Sequence, residues 1–484
     1  HMRLLPLVCL AVVAACSKLP PERQAIADAA DAMGGQDKIA VVKTLTIEGE
    51  GDAPNAGQNT MPDSELPNWK ITTFKRTVDV ANQRMRVQQA RTAQFLFAGP
   101  NTQRLDQGVD GDVAFNVGPD GKVTRAAAAA VKDRRLEMLH HPLVIVRMAL
   151  DPDTKVSSFR TAGTQQVVEI DTKQGEHLTL GIDATTHLPT RVTSMSYNAN
   201  MGDVAIDTAF ADYETVDGLK LPRRLTTKMD KYVQLDVRVS KNSLGVDAND
   251  LAAPADVKAA AAPAPAAIVV NAQPVAEGIW WLAGSGNHRS VVFEFDDHLV
   301  LFEVPLNEAR SKAVIDKART LSTKPLTHVV VSHHHFDHSG GLRVAVAEGL
   351  TIITYKDNIP FFKDLLSRKH SIVQDELSQH PQEAKFEPVD DSLSLKDKSM
   401  DVELYHLKDN PREGTNLFAN VPRDRILVQA DLYDSTWQFH HWGENVITNI
   451  EQIRKLKVDK QVPIHGEIQT YAEMVKTIRS APKG

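Results

Sequence analysis

Hydrophobic and polar positions follow a strand-like pattern over the first half of the chain. Apolar and polar residues alternate in short runs, among them 45–48, 166–170 and 233–237, as expected for strands with one buried face. Asp-Gly pairs at 110–111, 120–121 and 217–218 punctuate these runs as turns. Helical periodicity is limited to 22–33 and 126–140. The pattern predicts a mainly antiparallel β domain with a few helices over residues 22–246.

The second half of the chain alternates between strand and helix patterns. Residues 305–320, 357–367 and 444–457 have helical periodicity, with short apolar runs between them. Such alternation predicts an α/β domain in which helices cover packed sheets. An Ala/Pro-rich segment at 252–272 precedes it and has the composition of a semi-rigid spacer. We therefore expect a linker at 247–273 and a second domain at 274–484.

The densest candidate chemistry lies at residues 332–341, which read Ser-His-His-His-Phe-Asp-His-Ser-Gly-Gly. A valine run precedes the segment and two glycines end it, so the pattern predicts a buried strand, a loop and then a helix. Such a loop can point His333 and His335 to one side and Asp337 and His338 to the other, which suits two adjacent cations. A His-rich tract can also be a solvated loop, but the flanking strand and glycines favour a built site.

The spacing HxHxDH followed by Gly-Gly resembles the metallo-β-lactamase fold superfamily of metal-dependent hydrolases. The resemblance extends over roughly residues 274–480 and implies an αββα sandwich. Residues 278–282 and 290–295 resemble the β-hairpin that opens the family's sheet. Residues 426–431 resemble the strand whose terminal aspartate bridges two metals, and 462–466 the strand that delivers the last histidine.

The resemblance implies a set of metal ligands. His333 and His335 would hold one metal, Asp337, His338 and His465 the other, and Asp431 would lie between them. Glu303 stands where the family usually has an aspartate at the end of a strand.

The family's histidine between the motif and the bridging aspartate has no counterpart, and Arg412 is nearest to its place. Arginine stays protonated and offers only donors, so it cannot ligate a cation. Either His406 reaches in from the preceding strand, or the first metal has only His333, His335 and Asp431. Arg412 could grip an anionic substrate group or be a surface residue of a polar loop.

The resemblance implies hydrolysis by metal-bound hydroxide of an ester, lactone, thioester or amide, β-lactams included. Zinc suits imidazole and carboxylate ligands better than manganese or iron, as one ion or two. Asp337 would orient the attacking water and Arg412 would act beside it. His288, His441 and Trp442 are candidates for the pocket rim, although turn exposure or core packing also explains them.

A second function class stays open, because the missing histidine could mark a decayed metal site. Residues 188–222 resemble the curved sheets of periplasmic lipoprotein carriers. The chain would then be a surface-anchored protein that binds a lipid or another ligand in its β domain.

Composition and the first residues bear on partners and location. The net charge of −7 over 484 residues argues against nucleic acid as a partner. The resemblance to metal-dependent hydrolases implies a small-molecule substrate instead. Residues 4–15 form an apolar run with the length of a signal peptide core. The run ends in Val-Ala-Ala-Cys, which resembles a bacterial lipobox and predicts a signal at 1–16 and lipidation of Cys16. A serine directly after the cysteine, here Ser17, resembles the pattern of lipoproteins sent to the outer membrane, which predicts a periplasmic, outer-membrane location. The alternative is a plain secretory signal that is cleaved nearby.

Overall fold

The computed structural model describes residues 18–98 and 101–482, which form three β-sheets with helices on their faces. The predicted signal at 1–16, with Cys16, lies outside the described residues. Among the helices that are described, none is both long and apolar enough to cross a membrane.

The first sheet is large and entirely antiparallel, as the alternating pattern predicts. Its thirteen strands are β1 (Thr44–Pro54), β2 (Asn68–Asp79), β3 (Arg84–Ala93), β4 (Thr102–Asp110), β5 (Val113–Val117), β6 (Val123–Arg125), β7 (Lys155–Ala162), β8 (Gln165–Asp171), β9 (His177–Asp183), β10 (Pro189–Asn198), β11 (Gly202–Val216), β12 (Leu219–Met229) and β13 (Tyr232–Leu244). Strands β1 to β6 and β7 to β13 are two meanders, and the pairing of β1 with β13 joins them into one sheet.

Four helices pack on this sheet: α1 (Pro21–Ala32), α2 (Gln36–Val41), α3 (Ala129–Leu139) and α4 (Pro142–Leu150). Residues 22–33 and 126–140 carry α1 and α3, as their periodicity predicts. The short α2 and the almost wholly apolar α4 were not predicted, because six residues are too few to show a helical period and α4 has almost no polar face. Ile26 of α1 and Ile145 of α4 are buried in one core with strand residues such as Ile47.

The predicted linker at 247–273 is shorter in the structure. Helix α5 (Ala255–Ala259) docks on the β domain, where Val257 packs with Val113 and Phe115. The Ala253 N–H donates to Asp110 Oδ2 at 3.0 Å. Strand β14 (Val270–Ala276) already belongs to the second domain. The composition led us to overestimate the length of the linker, because a few apolar residues among the alanines are enough to anchor part of it on the β domain.

The second domain contains two sheets packed face to face. One consists of β14, β15 (Ile279–Gly284), β16 (Ser290–Glu294), β17 (Leu299–Phe302), β18 (Leu326–Val330), β19 (Thr351–Tyr355) and β20 (Lys385–Val389). The other consists of β21 (Ser392–Lys396), β22 (Asp401–His406), β23 (Leu417–Val421), β24 (Ile426–Gln429), β25 (Lys460–Pro463) and β26 (Gln469–Thr470). Phe293 and Val300 of the seven-stranded sheet share a buried core with Val402 and Val428 of the six-stranded sheet.

Helices cover the outer face of each sheet, which confirms the αββα sandwich. The helices are α6 (Glu308–Arg319), α7 (Phe336–Ser339), α8 (Leu342–Ala347), α9 (Ile359–Ser367), α10 (Glu376–Gln379), α11 (Gly443–Thr448) and α12 (Tyr471–Ser480). Val314 of α6 and Val344 of α8 pack on the seven-stranded sheet. Val446 of α11 and Met474 of α12 pack on the six-stranded sheet. The helix predicted at 444–457 is shorter: α11 passes into a π turn at Asn449–Ile453.

The two domains meet through a loop at 55–67, between β1 and β2. Its Gly57 carbonyl accepts the Phe336 N–H at 3.2 Å, and its Thr60 carbonyl accepts the Gly414 N–H at 2.9 Å. A second contact joins Asp203 of β11 to the Ser371 N–H at 3.0 Å. The loop thereby reaches the segments on both sides of the candidate site.

Candidate metal centre

The candidate ligands lie on four segments that follow strands at one edge of the sandwich. His333 and His335 lie between β18 and α7, and Asp337 and His338 lie in α7. Asp431 comes two residues after β24, and His465 two residues after β25. Because β24 and β25 are parallel neighbours, their carboxyl ends bring the last two side chains together.

One set of side chains, which we call the second metal group, consists of His338, Asp431 and His465. The Nε2 atoms of the two histidines are each 3.1 Å from Asp431 Oδ1 and 3.1 Å from one another. Asp337 Oδ2 completes the group, 3.3 Å from His338 Nε2 and 3.7 Å from His465 Nε2. Two imidazole nitrogens and a carboxylate oxygen converge on one point, as in a cation site.

The first metal group consists of His333, His335 and Asp431. His333 Nε2 is 3.1 Å from His335 Nδ1, and Asp431 Oδ2 lies 3.6 and 3.9 Å from these two nitrogens. Asp431 therefore presents one oxygen to each group, the arrangement expected of a bridging ligand. The first group has three candidate ligand atoms from protein side chains and the second has four, counting Asp337.

Arg412 lies inside the site and not on the surface. Its side chain is 7% exposed, and Nη2 donates to Asp431 Oδ2 at 2.9 Å. The guanidinium carbon lies 3.7 Å from the ring centroid of Phe97. The surface-loop interpretation of Arg412 is therefore wrong.

His406 does not reach the first metal group. Its ring stacks on Tyr355 with centroids 3.9 Å apart, and its Nε2 lies 2.8 Å from the Gly414 carbonyl oxygen. Of the two alternatives for the missing ligand, the structure has the one with His333, His335 and Asp431 alone.

Each histidine of the two groups has its other ring nitrogen held by a neighbour. Glu303 Oε2 lies 2.6 Å from His338 Nδ1, and Glu413 Oε2 lies 2.6 Å from His335 Nε2. The remaining contacts are from His333 Nδ1 to Ser332 Oγ and from His465 Nδ1 to the Asn287 carbonyl. Acceptors at these outer nitrogens hold the proton there and leave the inner nitrogens free as ligands. The donor set therefore fits a metal ion.

Charge in the site is balanced between buried carboxylates and imidazoles. Burial alone would raise the pKa of Asp431, but the His338 charge beside it and Arg412 hold that pKa well below its usual range. Burial alone would lower the pKa of His465, whereas its contacts with Asp337 and Asp431 raise it to about 9. A cation would take the place of the imidazole protons, so its binding is coupled to proton release.

The three predicted rim residues lie in different surroundings. His288 Nε2 is 3.3 Å from Asp337 Oδ2, so this turn histidine belongs to the edge of the second metal group. Trp442 is buried, and its Nε1 donates to the Asp431 carbonyl at 3.0 Å, so it supports the bridging residue from behind. His441 stacks on Phe439 and belongs to none of the candidate ligand groups found among the described residues.

Sequence reasoning missed the residues that come from the β domain. Gln58 Nε2 donates to Asp337 Oδ1 at 2.8 Å, and the Asn59 carbonyl oxygen lies 2.8 Å from His335 Nε2. The available signal was the length of the 55–67 loop, because long loops in compact domains are often functional. Glu413 was also missed, since nothing local distinguishes it from other polar loop residues.

One comparison with known proteins falls in the second domain. Residues 283–367, which include the HxHxDH motif, match the family model described as Metallo-beta-lactamase superfamily. A search of curated protein sequences finds no match.

Three similar solved structures are metallo-β-lactamases. The one from Pontibacter korlensis is 13% identical, with 44% of this chain and 100% of that chain covered and a TM-score of 0.35. FIM-1 from Pseudomonas aeruginosa, in its mono-zinc form, is 14% identical, with 44% and 96% covered and a TM-score of 0.36. The one from Hirschia baltica is 14% identical, with 44% and 99% covered and a TM-score of 0.35.

Proposed function

We propose that this chain, which contains a metallo-β-lactamase superfamily domain, is a zinc-dependent hydrolase of a small molecule. The family match supports a metal-dependent hydrolase in general. The bond cleaved would be that of an ester, lactone, thioester or amide, a β-lactam included. The observation that carries the proposal is the second metal group, where His338, His465 and Asp431 converge within 3.1 Å of one another.

The residues present would divide the work as follows. His338, His465 and Asp337 would hold one cation, His333 and His335 a second, with Asp431 between them. A bound divalent ion would polarise the scissile carbonyl and lower the pKa of water toward neutrality.

Asp337 is the candidate for orienting the attacking water. Burial would raise the pKa of Asp337, but the neighbouring histidines, His338 foremost, keep it well below its usual range. The carboxylate is therefore ionised, and its Oδ2 can accept a proton from water at the rim of the second metal group. Its Oδ1 is held by Gln58.

Zinc is favoured over manganese or iron because imidazole nitrogens outnumber carboxylate oxygens in the donor set. The second metal group should fill first, since it has more protein ligands and faces no arginine. We expect one ion per chain at low zinc and a second, weaker one at higher zinc.

Metal content and hydrolysis together test the proposal. Purified protein should take up zinc on reconstitution, measured by elemental analysis, and should hydrolyse at least one of a panel of ester, lactone, thioester and β-lactam substrates. His465→Ala should lose the more tightly bound zinc ion and the hydrolysis, whereas His441→Ala, which changes a histidine outside the ligand groups, should keep both. If the protein contains no zinc, manganese or iron after reconstitution, the hydrolase proposal is wrong.

A metal-poor binding protein is the second candidate function. Two observations favour it: the fixed charge of Arg412 next to the first metal group, and a cavity of about 410 Å³ between α3 and strands β10 to β13. Such a protein would bind a lipid or another ligand in the β domain without hydrolysing it. The same metal analysis separates the two functions.

We also propose that the chain is an outer-membrane lipoprotein of the bacterial envelope, anchored through Cys16. Wild-type protein should then partition into detergent with the envelope fraction, and Cys16→Ala should release it or block its processing. A soluble wild-type protein without the mass of a lipid would contradict the anchor.

A further inference from the structure

A small cavity lies at the junction of the two domains, next to the first metal group. Its volume is about 270 Å³. The β domain contributes Leu66, Pro67, Phe95 and Phe97 to its wall, and the second domain contributes Arg412 and Trp442. The wall is therefore mostly apolar, with a guanidinium set into it. The other charged residue of the lining, Glu65, is exposed to solvent.

Arg412 lines this cavity and has unused hydrogen-bonding capacity. Its side chain is more than nine-tenths buried, and its Nη2 is engaged by Asp431 at 2.9 Å and by Gln58 Oε1 at 3.2 Å. Its Nε and Nη1 find no acceptor among the described residues. Buried charged donors are normally paired, because leaving one without an acceptor is unfavourable. An acceptor from outside the chain would satisfy these two nitrogens, and an anionic acceptor would bind the guanidinium more strongly than a neutral one.

The apolar wall limits what else the ligand contains. Phe97 stacks against the guanidinium at 3.7 Å and packs on Phe95 with centroids 4.3 Å apart. A volume of about 270 Å³ accommodates a single ring or a short acyl chain. The cavity thus suits a small molecule with an apolar body and one anionic group.

We propose that this junction cavity binds the anionic end of the substrate, with Arg412 as the partner of a carboxylate and with Phe97 and Leu66 as walls for an apolar group. That the bound molecule is a substrate rests on the proposed function, whereas the predicted binding of an anion in the cavity does not. Since Arg412 contacts Asp431, the anion lies beside the first metal group, and the scissile carbonyl is within a few bonds of the carboxylate. Residues of the β domain then select the substrate of a site whose metal ligands all come from the second domain.

Binding of a charged probe and its neutral isostere tests the cavity directly. We would titrate phenylacetate and phenylacetamide into the full chain by calorimetry, after removing metal with a chelator so that no ion attracts the carboxylate. Wild-type protein should bind phenylacetate at least tenfold more tightly. Arg412→Gln should abolish that difference, while Arg191→Gln, a change of an exposed arginine on β10, should keep it. Equal binding of the two probes by wild-type protein would overturn the proposal.

A second variant keeps the test valid if Arg412→Gln fails to fold. Leu66→Trp should fill the cavity and weaken both probes at least tenfold without changing zinc content. Unchanged probe binding in Leu66→Trp would place the ligand elsewhere and overturn the proposal.

The outcomes also separate this proposal from the hydrolase proposal. Arg412-dependent binding of phenylacetate by a chain that takes up no metal would leave the cavity assigned and remove the hydrolase. Zinc uptake and hydrolysis with no preference for anionic probes would support the hydrolase proposal and contradict the cavity proposal.

Discussion

At the level of single residues, two glutamates lie behind the histidines of the metal groups, one in each group. Glu303 Oε2 is hydrogen-bonded to His338 Nδ1 at 2.6 Å. Glu413 Oε2 lies 2.6 Å from His335 Nε2, whose hydrogen-bond acceptor is the Asn59 carbonyl. Both carboxylates are buried. The bridging Asp431 links the two halves, and Arg412 adds a positive charge to only one of them.

Exchanging either glutamate for glutamine should weaken one metal group selectively. Glu413→Gln removes the negative charge behind His335, so zinc affinity of the first group should fall about 10- to 100-fold. Glu303→Gln is the matched variant and should weaken the second group instead. Zinc titration against a competing chelator resolves the two affinities. Loss of the same affinity in both variants would contradict the assignment of one glutamate to each group.

Arg412→His should raise the affinity or the number of bound zinc ions. It removes a fixed positive charge next to the first group, where repulsion of a cation is stronger than in water, and supplies a possible ligand. Arg412→Lys keeps the charge without the planar fork, so it should leave zinc content unchanged and weaken anion binding. Elemental analysis and probe titration measure the two effects. Unchanged zinc uptake in Arg412→His would mean that the arginine does not limit the first group.

At the level of elements, the 55–67 loop is the part of the β domain that reaches the site. Gly57 has φ of +75°, and a Cβ there would lie 2.2 Å from the Phe336 ring. The glycine therefore allows the loop to lie directly on α7, the helix that carries Asp337 and His338.

Gly57→Ala should displace the loop from the site. We expect faster proteolysis within 55–67 and weaker zinc binding, because Gln58 and Asn59 lose their contacts with Asp337 and His335. Gly111→Ala is the control, since Gly111 also has positive φ (+60°) but has nothing within 4 Å of an added Cβ. Both changes strain the backbone by about 1 kcal/mol or more, and only the first produces a collision. Equal proteolysis of the two variants would show that the loop is not held by this contact.

At the level of the whole molecule, the β domain contains two buried histidines remote from the metal groups. Burial, with a smaller contribution from the Arg76 charge, lowers the pKa of both His140 and His141 to about 3. Both are therefore neutral in the folded protein at mildly acidic pH. In the unfolded chain they take up protons near pH 6.5.

Stability should fall as pH drops from about 6.5 toward 3, because the unfolded state then binds more protons than the folded state. Each such histidine contributes up to about 1.4 kcal/mol per pH unit. His141→Asn keeps a side chain that can cap α4, as His141 does through Leu143 N–H, and removes one titrating group. Urea unfolding at pH 7 and pH 5 should show a smaller loss for this variant than for wild-type protein or for His177→Asn, an exposed control. An equal loss in all three would contradict the assignment.

The sequence by itself determined an α/β domain with helices on packed sheets, because strand and helix periods are local patterns, and its HxHxDH motif indicated the sandwich and the candidate ligands through the family resemblance. The periods of the strands and helices set the layers, and HxHxDH places four side chains on one short loop. Asp431 and His465 were proposed from the resemblance to the metallo-β-lactamase superfamily, because each follows a buried strand that resembles one of the family's strands.

Only the tertiary structure decided what surrounds those ligands. Gln58 and Asp337 are 279 positions apart in the chain, and no local pattern relates a loop of the β domain to a helix of the second. The same holds for Glu413 behind His335 and for the burial of Arg412 under Phe97, since burial and charge pairing are properties of the packed molecule. The HxHxDH motif and the family resemblance thus indicated the ligands of the metal groups, while packing between the domains formed the cavity beside them.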